Sequence, residues 1–109
     1  MIEFKKTSVS GDIAALKSLR NLTKIYLSDT KVSGDIAALK PLRNLTVIEF
    51  KHTGVNGDIA ALSSLRNLTV IDLRKTWVNG NKNVLDVMRQ YQHERDNITQ
   101  FNVEGSLVS

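Results

Sequence analysis

Cysteine is absent from the sequence, which excludes a disulfide framework and any thiolate metal site. No apolar run approaches the ~18 residues that a membrane-spanning helix needs. The opening residues, Met1-Ile2-Glu3-Phe4-Lys5-Lys6, lack the apolar core of a signal peptide. With no cysteine, this tips the expectation towards the cytosol and leaves an extracellular setting to a fragment of a longer chain. A Gly-rich phosphate loop and a G-x-S-x-G elbow are also missing. His52 and His93 fall in different elements, with no paired carboxylate at metal-ligand spacing. The expectation is a protein with no catalysis, no metal and no cofactor.

What is present describes a folded chain. Its 109 residues fit one domain able to bury a workable core, with 41% hydrophobic and 24% charged residues. The net charge of +4 is too mild to name nucleic acid or an acidic partner.

The chain repeats itself. Thr7, Thr30, Thr53 and Thr76 recur every 23 residues, and SGDIAALKPLRNLT at Ser33 to Thr46 has near copies at Ser10 to Thr23 and Asn56 to Thr69. A fixed period in the range of about 20 to 50 residues marks a solenoid. Within one unit, Ile25 and Leu27 are two apart, as in a strand, and Ile36 and Leu39 are three apart, as in a turn of 3₁₀ helix. The strand template recurs at Ile2-Glu3-Phe4, Ile48-Glu49-Phe50, Ile71-Asp72-Leu73 and Phe101-Asn102-Val103.

The unit resembles the leucine-rich repeat, LxxLxxLxLxxN, and its tail Val-Ser-Gly-Asp-Ile is similar to the LSGxIP stretch of plant-type repeats. The resemblance covers essentially the whole chain. It implies an α/β solenoid, residues 1–109 as one domain of about four and a half coils, with a five-stranded parallel sheet on the concave face and short 3₁₀ turns on the convex side. Two departures matter: the family's Asn is Thr, and the Pro after Ile is Ala at 14, 37 and 60. A Thr column can still bond hydroxyl to backbone where each coil turns, so Thr7, Thr30, Thr53 and Thr76 read as a structural ladder continued by Ser106.

The last coil breaks the period. Ile98-Thr99 aligns with Leu68-Thr69 at a step of 30 residues, and the added length lies in 83–96. Val84, Leu85, Met88 and Tyr91 there follow helical spacing, so an amphipathic helix replaces the short turn. Lys82 stands where Ile59 stood one coil earlier, so the core changes at this point.

Three constellations invite chemistry. The Gly-Asp pairs at 11–12, 34–35 and 57–58 would stack their carboxylates about 4.8 Å apart, where like charges repel by roughly 1 kcal/mol when hydrated and about 3 at an effective dielectric of 20. Helix-capping by Asp12, Asp35 and Asp58, each worth ~1 kcal/mol, is the better account, and Asn81 would cap equally well. Arg20, Arg43 and Arg66, with Lys17 and Lys40, make one flank basic, but no aromatic residues interleave for stacking, so a nucleic-acid or anion site is disfavoured. Asn21, Asn44, Asn67 and Asn97 each open an N-x-T glycosylation motif. One repeat template generates all four, and the Asn is better read as serving the turn into each strand.

Differences between copies are concentrated in the strand and just beyond it. GDIAAL is identical in three coils, as is LRNLT, whereas the outward strand positions read Lys24, Val47, Val70, then Tyr26, Glu49, Asp72, then Ser28, Lys51, Arg74. Just beyond them, Trp77 stands where Lys31 and Gly54 stand in earlier coils. Packing alone would let convex positions drift equally. The expected function is therefore non-catalytic protein binding through the concave face and adjoining loop, by Lys24, Tyr26, Ser28, Val47, Glu49, Lys51, Val70, Asp72, Arg74 and Trp77. Tyr26 and Trp77 would be the anchors, since large aromatics dominate interface energetics. The alternative is a structural segment of a longer repeat protein that binds elsewhere. Uncovered apolar residues at the ends also raise the expectation of end-to-end self-association.

Overall fold

A computed structural model describes residues 1–3, 9–93 and 100–109. The chain runs β1 (Ile2–Glu3), β2 (Ser10–Asp12), β3 (Lys24–Tyr26), β4 (Lys31–Asp35), β5 (Val47–Glu49), β6 (Gly54–Asp58), β7 (Val70–Asp72), β8 (Trp77–Gly80), α1 (Asn83–His93), β9 (Gln100–Asn102) and β10 (Leu107–Val108). Each repeat contributes one strand to each of two parallel sheets. The first has the order β1-β3-β5-β7-β9, the five-stranded sheet that the repeat predicts, and the second has the order β10-β8-β6-β4-β2.

Because the period is constant, equivalent residues stack. Ile25, Ile48, Ile71 and Phe101 pair in register along the first sheet, and all four are buried. Leu27, Phe50 and Leu73 form the next layer, and Val32, Val55 and Val78 bring the second sheet onto the same core. The coil closes through 3₁₀ turns at Ile13–Leu16, Ile36–Leu39 and Ile59–Leu62, which bury Ile13, Ile36 and Ile59. A β-strand buries alternate residues, so each coil supplies its apolar pairs at spacing two and then at spacing three.

Side-chain hydrogen bonds hold the bends. Thr30, Thr53 and Thr76 are buried and donate to the carbonyls of Leu27, Phe50 and Leu73 at 2.6 to 2.7 Å, and Ser106 donates to Val103. Each bond satisfies a carbonyl that the turning strand leaves without a ladder partner. The ladder expectation thus holds from Thr30 onward; Thr7 lies outside the described residues. The Asp residues cap: Asp12, Asp35 and Asp58 accept from the backbone N–H of Ala14, Ala37 and Ala60, each at 2.8 Å. Asn81 does the same for Asn83 at 2.9 Å. Asn44 and Asn67 donate their amides to the carbonyls of Arg20 and Arg43 at 3.2 Å. They therefore tie one coil to the one before it rather than shaping their own turn.

The second sheet is the feature the sequence reading did not anticipate. Its strands pass through Gly34, Gly57 and Gly80 at φ between 103° and 115°, which interrupts the alternation that marks a strand. A Cβ built at any of the three would overlap the Asp carboxylate of the preceding coil. Glycine is required there for both reasons, and the Asp caps can stack only because it is present.

In the last coil, α1 spans Asn83–His93 and the described part of the expected 83–96 helix is helical; Glu94 to Asp96 lie outside the described residues. Leu85 and Met88 are buried and Val84 packs at the core margin, as the spacing predicts, while the side chain of Tyr91 lies outside the described residues. Lys82 is exposed, confirming the change of core at that position.

Candidate interaction surface

The register of the first sheet arranges its outward residues in rows. Lys24, Val47, Val70 and Gln100 form one row, and Tyr26, Glu49, Asp72 and Asn102 the next. Ser28, Lys51 and Arg74 follow just past the strand ends. The nine first-sheet residues singled out from the sequence are thus brought together on three adjacent strands and the segments that follow them.

They are not equally available. Lys24 is exposed, Tyr26, Glu49, Lys51, Val70 and Arg74 are half-buried, and Ser28, Val47 and Asp72 are buried. The Ser28 hydroxyl accepts from the N–H of Lys51 at 3.1 Å, which joins two coils. Asp72 accepts from the Arg74 guanidinium through both oxygens, at 2.9 and 2.7 Å, and from the Arg74 N–H at 3.2 Å. Burial opposes ionisation of Asp72, yet the Arg74 hydrogen bonds and the positive charges of Arg74 and Lys51 outweigh it and hold its pKa below the ordinary carboxylate value. A bidentate pair fixes both side chains, so Asp72 and Arg74 present one rigid unit.

Beyond the strands, the backbone ladder continues. Asp29, His52 and Lys75 donate their N–H groups to the carbonyls of Lys51, Arg74 and Glu104 at 2.8 to 2.9 Å. All three adopt left-handed φ between 56° and 59°, and Gly105 occupies the equivalent place at φ 75°. His52 Nδ1 lies 3.3 Å from Asp29 Oδ1.

Trp77 is set apart from the other nine. It opens β8 in the second sheet, where it pairs in register with Asn56, and its side chain is 64% exposed. On the neighbouring β10, in register with Asn79, lies Leu107, 55% exposed, which was not singled out from the sequence. The signal was there: Thr76-Trp77-Val78 and Ser106-Leu107-Val108 are the same position of successive coils. Arg20, Arg43 and Arg66 are all exposed, in the turns that lead into β3, β5 and β7. Among the described residues, no group of three or more His, Cys, Asp or Glu is placed to hold a metal ion, and no helix is long and apolar enough to cross a membrane.

No family model matches the sequence. No curated protein matches it either. Solved structures do resemble its fold. The ectodomain of the receptor kinase SOBIR1 from Arabidopsis thaliana superposes with a TM-score of 0.76 at 20% identity, over 97% of this chain and 69% of that one. The Arabidopsis receptor kinase HAESA, solved with the peptide hormone IDA and the co-receptor SERK1, gives 0.72 at 18% identity over 98% of this chain. The plant peptide hormone receptor RGFR1, solved with RGF2, gives 0.62 at 22% identity over 99%. The fold is that of a leucine-rich-repeat protein, an α/β solenoid of parallel strands and short 3₁₀ turns. The chain spans only 17% of the HAESA chain and 21% of the RGFR1 chain. The cytosolic setting expected from the sequence finds no support here, since the SOBIR1 structure is an ectodomain.

Proposed function

We propose that residues 1–109 form a non-catalytic module that binds another protein through the outward face of its first sheet. The observation that carries this reading is the distribution of difference between coils. Lys24 gives way to Val at 47 and 70 in one stacked position, and Tyr26, Glu49 and Asp72 all differ at the next, while GDIAAL and LRNLT repeat unchanged. Tyr26 would be the anchor of this face, the half-buried Val70 its apolar centre backed by the buried Val47, and the Asp72–Arg74 pair a fixed polar feature setting orientation. HAESA was solved in complex with a peptide hormone and RGFR1 is a peptide hormone receptor, and both share this fold, which supports a protein or peptide occupant.

A photo-crosslinking amino acid placed at Lys24 or Val70, with a control at Arg43 in the turn before β5 and outside those rows, tests the assignment. One partner species should crosslink from the first two positions and not from the third, and Tyr26→Ala should weaken its capture. Equal crosslinking from Arg43, or capture indifferent to Tyr26, would refute it.

The share of HAESA and RGFR1 that the chain spans favours a second reading, in which it is one stretch of a longer solenoid whose partner site lies elsewhere. Under that reading no partner species crosslinks from Lys24 or Val70. End-to-end self-association belongs to the same proposal: Ile2, Val9, Ile13, Leu16, Leu27 and Val32 line an apolar hollow of about 210 Å³ at the first coil, fit for a second copy.

A further inference from the structure

Away from the first sheet, Trp77 and Leu107 lie on the adjacent strands β8 and β10, offset by two residues, and line one depression, both more than half exposed. The fold does not ask for them. Lys31 and Gly54 occupy the same position in the coils before, so the core tolerates a charge or no side chain there. The depression has a volume of about 500 Å³, with His52, Lys75 and Gly105 on its rim. Of the ionisable side chains in the lining, His52 is matched by the Asp29 carboxylate 3.3 Å from its Nδ1, which leaves Lys75 as the cation of the depression. Lys75 has no ion pair among the described residues, and its backbone is pinned by the 2.9 Å bond to the Glu104 carbonyl.

An exposed indole and an exposed leucine lining one depression make an apolar step that water solvates poorly, and a cation at its edge favours a negative group over a positive one. We propose that this depression docks an extended peptide segment of a partner, with one large apolar side chain seated against Trp77 and Leu107 and an adjacent carboxylate on Lys75. The inference rests on the reading of the chain as a protein-binding module but uses the second sheet, so the two can fail separately.

Trp77 is the single tryptophan of the chain, so its emission reports on this place alone. The protein would be titrated with three capped tetrapeptides: acetyl-Gly-Leu-Asp-Gly-amide, the same peptide with Lys for Asp, and the same with Gly for Leu. The Leu-Asp peptide should give a saturable change in emission, with the other two at least tenfold weaker, and its advantage over the Leu-Lys peptide should shrink as salt screens the charge. Lys75→Glu should reverse the charge preference. Lys75→Asn, a residue that tolerates left-handed φ, should abolish it without endangering the fold. Tyr26→Ala should leave the titration unchanged, whatever it does to the strand-face partner. Equal responses to the two charged peptides, no saturable change, or indifference to both Lys75 variants would overturn the proposal. So would emission that shifts with protein concentration alone, which would assign the step to a second copy of the chain.

Discussion

Gly57→Ala should destabilise the protein through two separable effects, and Gly11→Ala should show only one of them. Both glycines adopt positive φ, 103° and 115°. A side chain held at such an angle costs of order 1–3 kcal/mol, partly offset by ~0.4–1 kcal/mol from the stiffer unfolded chain. That leaves a net loss of about 1–2 kcal/mol at either position. The surroundings then differ. A Cβ at Gly11 meets no described atom within 4 Å, whereas one at Gly57 overlaps the Asp35 carboxylate and comes within 3.3 Å of Ile36 Cγ1. To make room, Asp35 must abandon its 2.8 Å bond to the Ala37 N–H, and a lost cap costs ~1 kcal/mol. Gly57→Ala should therefore be worse than Gly11→Ala by about 1 kcal/mol.

Urea unfolding of both variants, followed by circular dichroism, measures the difference. A cycle with Asp35→Ala isolates its cause: once the carboxylate is gone the overlap is gone too, so the double variant should cost about 1 kcal/mol less than the sum of the singles. Equal losses at the two glycines, or strict additivity in the cycle, would refute the argument that glycine is kept there to admit the stacked Asp caps.

Met88, on the core side of α1, is 3% exposed, so Met88→Ala should cost ~2–5 kcal/mol and lower the thermal midpoint; a variant that melts with the parent would show that the helix does not close the core. Asp72 is the acid-sensitive group of the first sheet. Because its native pKa is depressed, it stabilises the fold above the ordinary carboxylate value of about 4, and that contribution is lost as pH falls through its lower native value. The stability gap between the parent and Asp72→Asn should thus be widest at neutral pH and close on acidification, as denaturant midpoints taken from pH 7 to 2 would show. A gap that persists to the lowest pH would contradict the pairing with Arg74.

The sequence by itself determined the solenoid, because a repeat is redundant information. Ile25, Ile48 and Ile71 can be aligned in the letters alone, and identical coils have one economical way to bury an identical face. The same redundancy exposed the Thr column, the Asp caps, the 3₁₀ turns and the helix that replaces the last of them. Each of these is a local event, set by residues within a few positions of one another. Only the tertiary structure decided what depends on the neighbouring coil. The second sheet was hidden because Gly34, Gly57 and Gly80 break the strand alternation within each copy, and their reason for being glycine is a carboxylate more than twenty residues away. Ser28 looked like a surface residue until the Lys51 N–H of the next coil claimed its hydroxyl. Asp72 and Arg74 looked like two charges available to a partner, yet the bend after the strand folds one onto the other. Trp77 reads in the letters as an extension of the strand face, but the left-handed turn at Lys75 carries it onto the other sheet, into one depression with Leu107. A period tells which residues are equivalent. The direction the chain takes between them, and so which surface they share, is fixed by hydrogen bonds between coils that no single copy contains.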